Sequence, residues 1–348
     1  MGRTVLAGGL LADGRALELA AARPEDGQAM LEVVLEAFGH RPQVDPPAEA
    51  LAETAESLAA KLDDGFGVLA LVDGQAAGLV LVRGDEFIQR VCVRPGLQHL
   101  GIATAMVEVA MDQLARRGAP RVELVARAEF PAVVELWRRN GFHEVGRDGT
   151  SVRLRRQVPV RVEAPTADDM RALGVRLASV AAAGDLIIMT GELGAGKTTL
   201  TQGLGEGLGV EGPVLSPTFV LSRVHPSPGG GPALVHVDAY RLGGADELED
   251  LDAAQDDAVT VVEWGAGMAE GLSDQRLEIE IRRSAGDDGR VVYLSGIGRR
   301  WDGLRRELES VAETGSARTA TNGRPGELGH ANDPRSATAG EAGEELEG

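Results

Sequence analysis

Apolar runs and amphipathic stretches alternate along the first part of the chain. The runs LELAAA (17–22), IQRVCVRP (88–95), PRVELVAR and SVRLRRQV predict strands, and FGVLALVDGQAAGLVLVR (66–83) predicts a hairpin turning at Asp73-Gly74. Helices are predicted for PEDGQAMLEVVLEAF, PAEALAETAESLAAKL (47–62), the segment after GLQHLG, and FPAVVELWRRNG. The pattern therefore predicts an α+β domain with a mixed sheet over residues 17–157, after a loose N-terminal extension of residues 1–16.

A second pattern begins near residue 158. VRVEAP (160–165) precedes a helix predicted for 167–182, and DLIIMTG (185–191) is typical of a buried central strand. A helix follows from about 197, then β-type runs in PALVHVDAYR and DAVTVVEW, a hairpin of RLEIEIRR with GRVVYLSGIG, and a helix over 301–313. This order predicts an α/β domain over 158–314. Residues 315–348 hold only Leu328 and Leu346 as large apolar residues, so we predict a disordered tail.

Composition narrows the classes of function. The formal net charge is −19. The negative electrostatic field of such a chain repels phosphate backbones, so we do not expect this chain alone to bind nucleic acid. The single cysteine, Cys92, excludes a disulfide framework and suits a reducing cytosol; its apolar surroundings indicate a buried structural thiol. No apolar run approaches the length of a membrane span, and the N-terminus is not typical of a signal peptide. We therefore expect a cytoplasmic protein.

The stretch GELGAGKTTL fits the phosphate-loop pattern G-x-x-x-x-G-K-[ST] without gaps. Glycines let the backbone wrap its amides around a phosphate, and the following helix directs unpaired N–H groups at the anion. Lys197 is one of only two lysines in the chain, which argues against a chance match. We predict that Lys197 reaches the outer phosphates, that Thr198 binds magnesium, and that Thr199 binds the innermost phosphate. The predicted ATP-binding residues of the loop are Gly191, Glu192, Leu193, Gly194, Ala195, Gly196, Lys197, Thr198 and Thr199.

Three further stretches follow the loop: SPTFVLS (216–222), HVDAYRL (236–242) and VVEW (261–264). Asp238 and Glu263 each stand near the end of an apolar β-type run, where ligands bind in open α/β sheets. Two such acids after a phosphate loop indicate a pair that holds magnesium or orients an attacking water.

LGAGKTT, SPTF, H-x-D-x-Y-R-L and V-E-W, in this order and spacing, closely resemble the TsaE family, the ATPase subunits of the bacterial machinery that makes threonylcarbamoyladenosine at position 37 of tRNA. The resemblance covers about 160–314 and implies a small P-loop NTPase fold. It implies Lys197, Asp238 and Glu263 as catalytic residues and Thr198, Asp238 and Glu263 as magnesium ligands. It further implies Ser216 and Thr218 in a mobile loop over the phosphates and Trp264 at the edge of the ATP site. The expected partners are the other subunits of that machinery, with tRNA bound only indirectly.

In the first domain, Gln98-His99-Leu100-Gly101-Ile102-Ala103 forms a Q-x-x-G-x-[GA] turn between a strand and a helix. Amides at such a helix N-terminus can receive a pyrophosphate. With WRRNGFHEVGR (137–147) and the strand order, region 17–157 resembles the GCN5-related N-acetyltransferases (GNAT), which bind acetyl-CoA and acetylate a primary amine. The resemblance implies acetyl-CoA binding by Val93, Gln98, His99, Leu100, Gly101, Ile102, Ala103 and Thr104.

Two residues depart from that family's pattern. Trp137 replaces a tyrosine whose hydroxyl supports the leaving thiolate, and Phe130 replaces an asparagine. Glu86 is a candidate for the base, and His99 is expected beside the pyrophosphate. These departures keep open an ATPase whose first domain senses acetyl-CoA without using it. For the phosphate-loop domain, the alternative is a P-loop small-molecule kinase.

Overall fold

The computed structural model of the protein describes residues 3–42, 45, 47–249, 251, 255–284 and 289–310. Within these ranges the chain forms two β-sheets, each with helices on its faces. The tail predicted for 315–348 lies outside the described residues, as do residues 311–313 of the last predicted helix.

The first sheet has eight strands in the order β1-β2-β3-β4-β5-β6-β8-β7. All neighbouring pairs are antiparallel except β5 and β6, so the sheet is mixed, as predicted. The strands are β1 Val5–Leu10, β2 Ala16–Ala21, β3 Gly65–Val72, β4 Gln75–Arg83, β5 Phe87–Val93, β6 Arg121–Arg127, β7 His143–Asp148 and β8 Ser151–Gln157.

Helices cover both faces of this sheet: α1 Gly27–Gly39, α2 Ala55–Ala60, α3 Ile102–Arg116 and α4 Pro131–Arg139. Met30 of α1 and Leu58 of α2 are buried against one face, and Met106 of α3 and Trp137 of α4 against the other. The cores are aliphatic because the chain has few aromatic residues. None of the helices in the described ranges is long and apolar enough to cross a membrane.

The structure corrects three expectations in this domain. Residues 5–10 of the predicted loose extension form a strand instead, because β1 pairs antiparallel with β2. The helix predicted over 47–62 is two pieces, a 3-10 turn at Glu49–Ala52 and then α2, because the Thr54 hydroxyl accepts the Ser57 amide and starts a new helix there. Strand β7 was not predicted, since it is largely exposed and lacks an apolar alternation.

The second sheet has seven strands in the order β11-β12-β13-β10-β14-β15-β9. Its strands are β9 Val160–Ala164, β10 Leu186–Gly191, β11 Ser222–His225, β12 Ala233–Asp238, β13 Ala258–Glu263, β14 Arg276–Arg283 and β15 Arg290–Ile297. The helices are α5 Ala167–Ala178, α6 Lys197–Leu208 and α7 Ala245–Glu249, with a further helical segment over 304–310. β10 is central and β14 pairs with β15, as predicted, whereas the short strand β11 was missed.

Four adjacent strands, β12, β13, β10 and β14, run parallel. Their carboxyl ends therefore meet at one edge of the sheet, where Gly191, Asp238 and Glu263 are the last residues of β10, β12 and β13. Asp238 and Glu263 are direct partners in the β12–β13 ladder. In sheets of this kind that edge is where ligands bind.

Close packing of α5 on α6 fixes the helix that follows the phosphate loop. A Cβ added to Gly203 would clash with the carbonyl of Arg171, and one added to Gly174 would clash with that of Leu200. Two helix backbones approach this closely only where side chains are missing. The α6 N-terminus is thereby held at the carboxyl edge of the sheet.

Helix α3 of the first unit also contacts the second sheet. Val291 and Tyr293 of β15 share an apolar cluster with Val107 and Met111 of α3. The Tyr293 hydroxyl donates to the carboxylate of Asp112. Helix α3 thus contacts both sheets.

Candidate functional site

The loop between β10 and α6 takes backbone shapes that favour glycine. Gly191, Gly194 and Gly196 have φ of 148°, 74° and 107°. Gly196 is the N-cap of α6 and carries no side chain to bond the first amides of the helix. Because the first N–H groups of a helix have no partner within it, this end offers donors and a positive dipole to an anion.

Lys197 lies over this loop and is 5% exposed. Its Nζ donates to the carbonyls of Gly191 at 2.8 Å and Glu192 at 3.1 Å, and lies 3.6 Å from the centre of the Trp264 ring. Burial lowers the pKa of the Lys197 ammonium, and the charges of Glu263 and Asp238 oppose that shift. The ammonium therefore has a low-dielectric position beside the loop, bound only to neutral acceptors that a phosphate can replace.

Glu263 lies at the centre of a buried polar cluster. Its carboxylate accepts hydrogen bonds from the Thr198 hydroxyl at 3.2 Å, the Thr201 hydroxyl at 3.4 Å and His236 Nε2 at 2.8 Å. The side chains of His236 and Glu263 are 0% and 4% exposed. Donors on both carboxylate oxygens fix its orientation, so it is held as an acceptor next to the loop.

Asp238 holds the SPTF stretch at the same edge. The Thr218 hydroxyl donates to its Oδ2 at 2.6 Å, the Ser216 hydroxyl lies 3.5 Å from the same atom, and the Tyr240 amide donates to Oδ1 at 3.0 Å. The Tyr240 ring lies 5.0 Å from that of Trp264. The structure thus places Ser216 and Thr218 against Asp238, and Trp264 against Lys197.

The donors near the loop suit a hard cation. Thr198, Asp238 and Glu263 supply only oxygen atoms, the ligands that magnesium takes in proteins. In the described ranges, no group of three or more His, Cys, Asp or Glu residues is placed to hold a metal by itself. A cation here would therefore need further oxygens, and the phosphates of a nucleotide provide them.

Several residues of this site were not predicted from the sequence. His236 stands in HVDAYRL, where its burial on a strand beside an acid was the available signal. Thr201 lies one turn beyond Thr198 on α6. Arg283 and Arg290 contact the loop from the β14–β15 hairpin, about 90 residues away, and no local pattern indicates such a contact. The Leu193 side chain is 80% exposed and its carbonyl accepts a hydrogen bond from Arg283, while Thr199 is half-buried in the first turn of α6.

The first domain presents an open helix N-terminus at the Q-x-x-G-x-[GA] turn. Gly101 is the N-cap of α3 with φ of 81°, and His99 also has a positive φ of 65°. Gln98, His99 and Thr104 are exposed, and the Gln98 side chain donates to the Val93 carbonyl at 3.4 Å. Ile102 is buried and anchors the turn to the core, and a Cβ added at Gly101 would meet no atom within 4 Å, so the start of α3 has open space for an anion.

Strands β5 and β6 share one ladder pair, Phe87 with Glu123. Each strand pairs along its length with its other neighbour. Backbone groups beyond that pair are therefore available to an extended ligand lying between the strands. Glu86 is exposed at the other end of β5, about 20 Å from the turn by strand length, so its position does not favour a role as base.

The surroundings of three further residues of the first domain indicate packing roles: Trp137, Phe130 and Cys92. Trp137 is buried and packs edge-on to Phe142 with ring centres 5.2 Å apart. Phe130 is half-buried and precedes α4. Cys92 is buried as predicted, and burial raises the pKa of its thiol to about 12, so it is protonated at neutral pH and unsuited to act as a nucleophile.

Comparison with protein-family models finds two matches in separate parts of the chain. The model for threonylcarbamoyl adenosine biosynthesis protein TsaE matches residues 164–292, and the acetyltransferase (GNAT) family model matches residues 28–142. Both segments fall within the predicted domains 17–157 and 158–314, whose limits stay a prediction. The chain thus carries a GNAT domain at its N-terminus and a TsaE domain in its C-terminal part.

Curated relatives are similar to the C-terminal part of the chain. A tRNA threonylcarbamoyladenosine biosynthesis protein TsaE of Streptomyces coelicolor is 61% identical over 138 residues, 38% of this chain and 93% of that protein. The protein of the same name in Mycobacterium tuberculosis strain H37Rv is 46% identical over 140 residues, 38% of this chain and 83% of that protein.

Among solved structures, Bacillus subtilis YdiB is 33% identical and covers 44% of this chain and 96% of its own, with a TM-score of 0.37. The PaiA N-acetyltransferase of Thermoplasma acidophilum, solved in complex with coenzyme A, is 16% identical and covers 40% of this chain and 98% of its own, also with a TM-score of 0.37.

Proposed function

The chain belongs to the TsaE family through its C-terminal domain, and we propose that this domain is a P-loop ATPase. On this proposal it binds ATP with magnesium and hydrolyses it to support the threonylcarbamoyladenosine modification of tRNA. The observation that carries the proposal is the buried Lys197 ammonium on the loop carbonyls, next to the Thr198–Glu263 contact.

Each residue then has a defined task. The loop amides bind the phosphates, and Lys197 exchanges the Gly191 and Glu192 carbonyls for phosphate oxygens. Thr198 and Asp238, with Glu263, are the residues that would hold magnesium, which when bound neutralises phosphate charge. Glu263, oriented by His236 and Thr201, accepts a proton from the attacking water or orients it. Ser216, Thr218 and Trp264 close the site.

Hydrolysis and partner dependence can be tested with the purified full-length chain. We expect the chain to hydrolyse ATP slowly in the presence of magnesium and to release phosphate. The other threonylcarbamoyladenosine-forming subunits should increase the rate of hydrolysis. The net charge of −19 favours contact with tRNA through those subunits rather than directly. Transfer of the phosphate to a small metabolite instead of water would favour the kinase alternative. Unchanged modification of tRNA when this chain is omitted from the reconstituted mixture would refute the role.

We further propose that the GNAT domain binds acetyl-CoA, with the pyrophosphate at the α3 N-terminus and the pantetheine arm between β5 and β6. Thr104 is exposed in the first turn of α3, so Thr104→Glu adds a repelling charge without filling the core. We expect calorimetry to show acetyl-CoA affinity reduced by about tenfold or more. Gln113→Glu makes the same charge change near the far end of α3 and should leave affinity unchanged.

Binding titrations combined with an assay for free CoA distinguish acetyl transfer from acetyl-CoA sensing. The buried Trp137 lacks the hydroxyl that would support a leaving thiolate, which favours a domain that binds acetyl-CoA without using it. Binding without release of free CoA on any amine tested would agree with sensing. Release of CoA with acetylation of a protein N-terminus would establish transfer instead, and equal affinity of Thr104→Glu and the parent chain would contradict the placement of the pyrophosphate.

A further inference from the structure

Two arginines of the β14–β15 hairpin contact the outer side of the phosphate loop. Arg290 donates from Nε to the Ala195 carbonyl at 3.1 Å and from Nη2 to the Gly194 carbonyl at 3.3 Å. Arg283 donates from Nη2 to the Leu193 carbonyl at 3.5 Å, and its Nε lies 3.4 Å from a Glu192 carboxylate oxygen. Three consecutive carbonyls of the loop thus face fixed positive charge.

These contacts act on the peptide groups that would bind phosphate. The Ala195 carbonyl belongs to the same peptide group as the Gly196 amide, and the Leu193 carbonyl to the same group as the Gly194 amide. A cationic donor on a carbonyl polarises its peptide group and makes the N–H at the other end a stronger donor. The Ala195 amide is already used within the loop, since it donates to the Glu192 carbonyl at 3.0 Å.

Arg290 is the stronger of the two contacts and is well anchored. It is half-buried at the start of β15, which pairs with β14 on one side and β9 on the other. Its planar guanidinium bridges two adjacent carbonyls, a geometry that the single ammonium of lysine cannot reproduce. A glycine-rich loop is flexible by composition, so a bridge of this kind reduces the ordering that a ligand must impose.

We propose that Arg290, assisted by Arg283, is a positioning residue that strengthens the grip of the loop on the triphosphate without touching the nucleotide. The inference rests on the proposed ATP site, but it assigns a separate role to the β14–β15 hairpin. The charge of both arginines also favours a polyanion in the loop.

The test compares ATP affinity in the full-length chain by calorimetry with magnesium present. Arg290→Met keeps the length of the side chain and removes its donors. We expect its dissociation constant for ATP to rise by about tenfold or more, as for loss of hydrogen bonds to a charged group. KM should rise in parallel, with kcat at saturating ATP within about threefold. Arg290→Lys should restore part of the affinity because it retains the charge and one contact.

Arg282→Met is the matched control on the same hairpin. Its guanidinium pairs with Glu280 at 2.6 Å and lies 4.8 Å from the Tyr293 ring, away from the loop. ATP affinity of this variant should equal that of the parent chain.

The possible outcomes separate the two proposals. If the parent chain binds no ATP, the proposed ATPase function is refuted, and the positioning role of Arg290 is refuted with it. If it binds ATP and Arg290→Met binds equally well, the positioning role is refuted. If Arg290→Met melts at a lower temperature than the parent chain without ligand, the Arg290→Lys variant is the deciding measurement. Arg290→Lys that melts like the parent but binds ATP more weakly supports the positioning role. Arg290→Lys that binds ATP as tightly as the parent overturns it.

Discussion

Replacing Lys197 with alanine is expected to reduce ATP hydrolysis by the purified chain at least about a hundredfold. The ammonium is buried at the loop, where a charge opposite the phosphates acts in a low dielectric. Alanine removes it, and no other lysine of the second domain can replace it. Phosphate release at saturating ATP and calorimetric ATP affinity are the measurements, and both should fall.

The matched control is Lys61→Ala, the other lysine of the chain. Lys61 lies in the first domain and pairs with Glu53 at 2.9 Å, so its loss removes the same charge without touching the loop. Hydrolysis by Lys61→Ala should equal that of the parent. Undiminished hydrolysis by Lys197→Ala would show that the site has been assigned to the wrong residues.

Replacing Glu263 with glutamine is expected to lower kcat by about 10²- to 10³-fold while ATP still binds. Glutamine has nearly the same shape; its single oxygen can accept the His236 hydrogen bond while its amide NH2 donates to the Thr198 hydroxyl oxygen, so the cluster keeps its geometry. What is lost is the carboxylate charge that takes or orients the proton of the attacking water. Single-turnover phosphate release and calorimetry separate the two effects.

Glu278→Gln is the matched control for that substitution. Glu278 is also on a strand of the second sheet, but it pairs with Arg276 and is 39% exposed. Its hydrolysis should be unaffected. A Glu263→Gln variant with a normal kcat would contradict a catalytic role for this acid, and one that loses ATP binding altogether would assign Glu263 to nucleotide binding instead.

Strong apolar patterns located most of the fold. DLIIMTG predicted the central strand β10, and Asp73-Gly74 predicted the β3–β4 hairpin, because a buried run and a turn dipeptide each have a local physical cause. Strands β1, β7 and β11 were missed or misread, since these edge strands have few buried positions and leave no clear alternation. The break at Thr54 shows that one capping hydroxyl can divide a segment with continuous helical character.

The residues of the candidate site also fall into two groups, those that a local sequence pattern indicates and those that it does not. The phosphate-loop pattern indicated Lys197 and Thr198 because backbone shape and helix start are encoded within ten residues. The contact of His236 with Glu263 depends on the register of β12 against β13. Arg290 reaches the loop only because β14 lies beside β10 and β15 beside β14. Contacts set by sheet order are not encoded in any short stretch.

The central claim is that the loop and Lys197 hold the phosphates of ATP, with Asp238 and Glu263 placed for metal and water. A crystal structure of the chain with magnesium and a non-hydrolysable ATP analogue tests this most directly. We expect the Lys197 Nζ to leave the Gly191 and Glu192 carbonyls for the outer phosphate oxygens, with Thr198 and Asp238 facing the metal. An empty loop in crystals soaked at saturating nucleotide, or a nucleotide bound elsewhere, would contradict the claim.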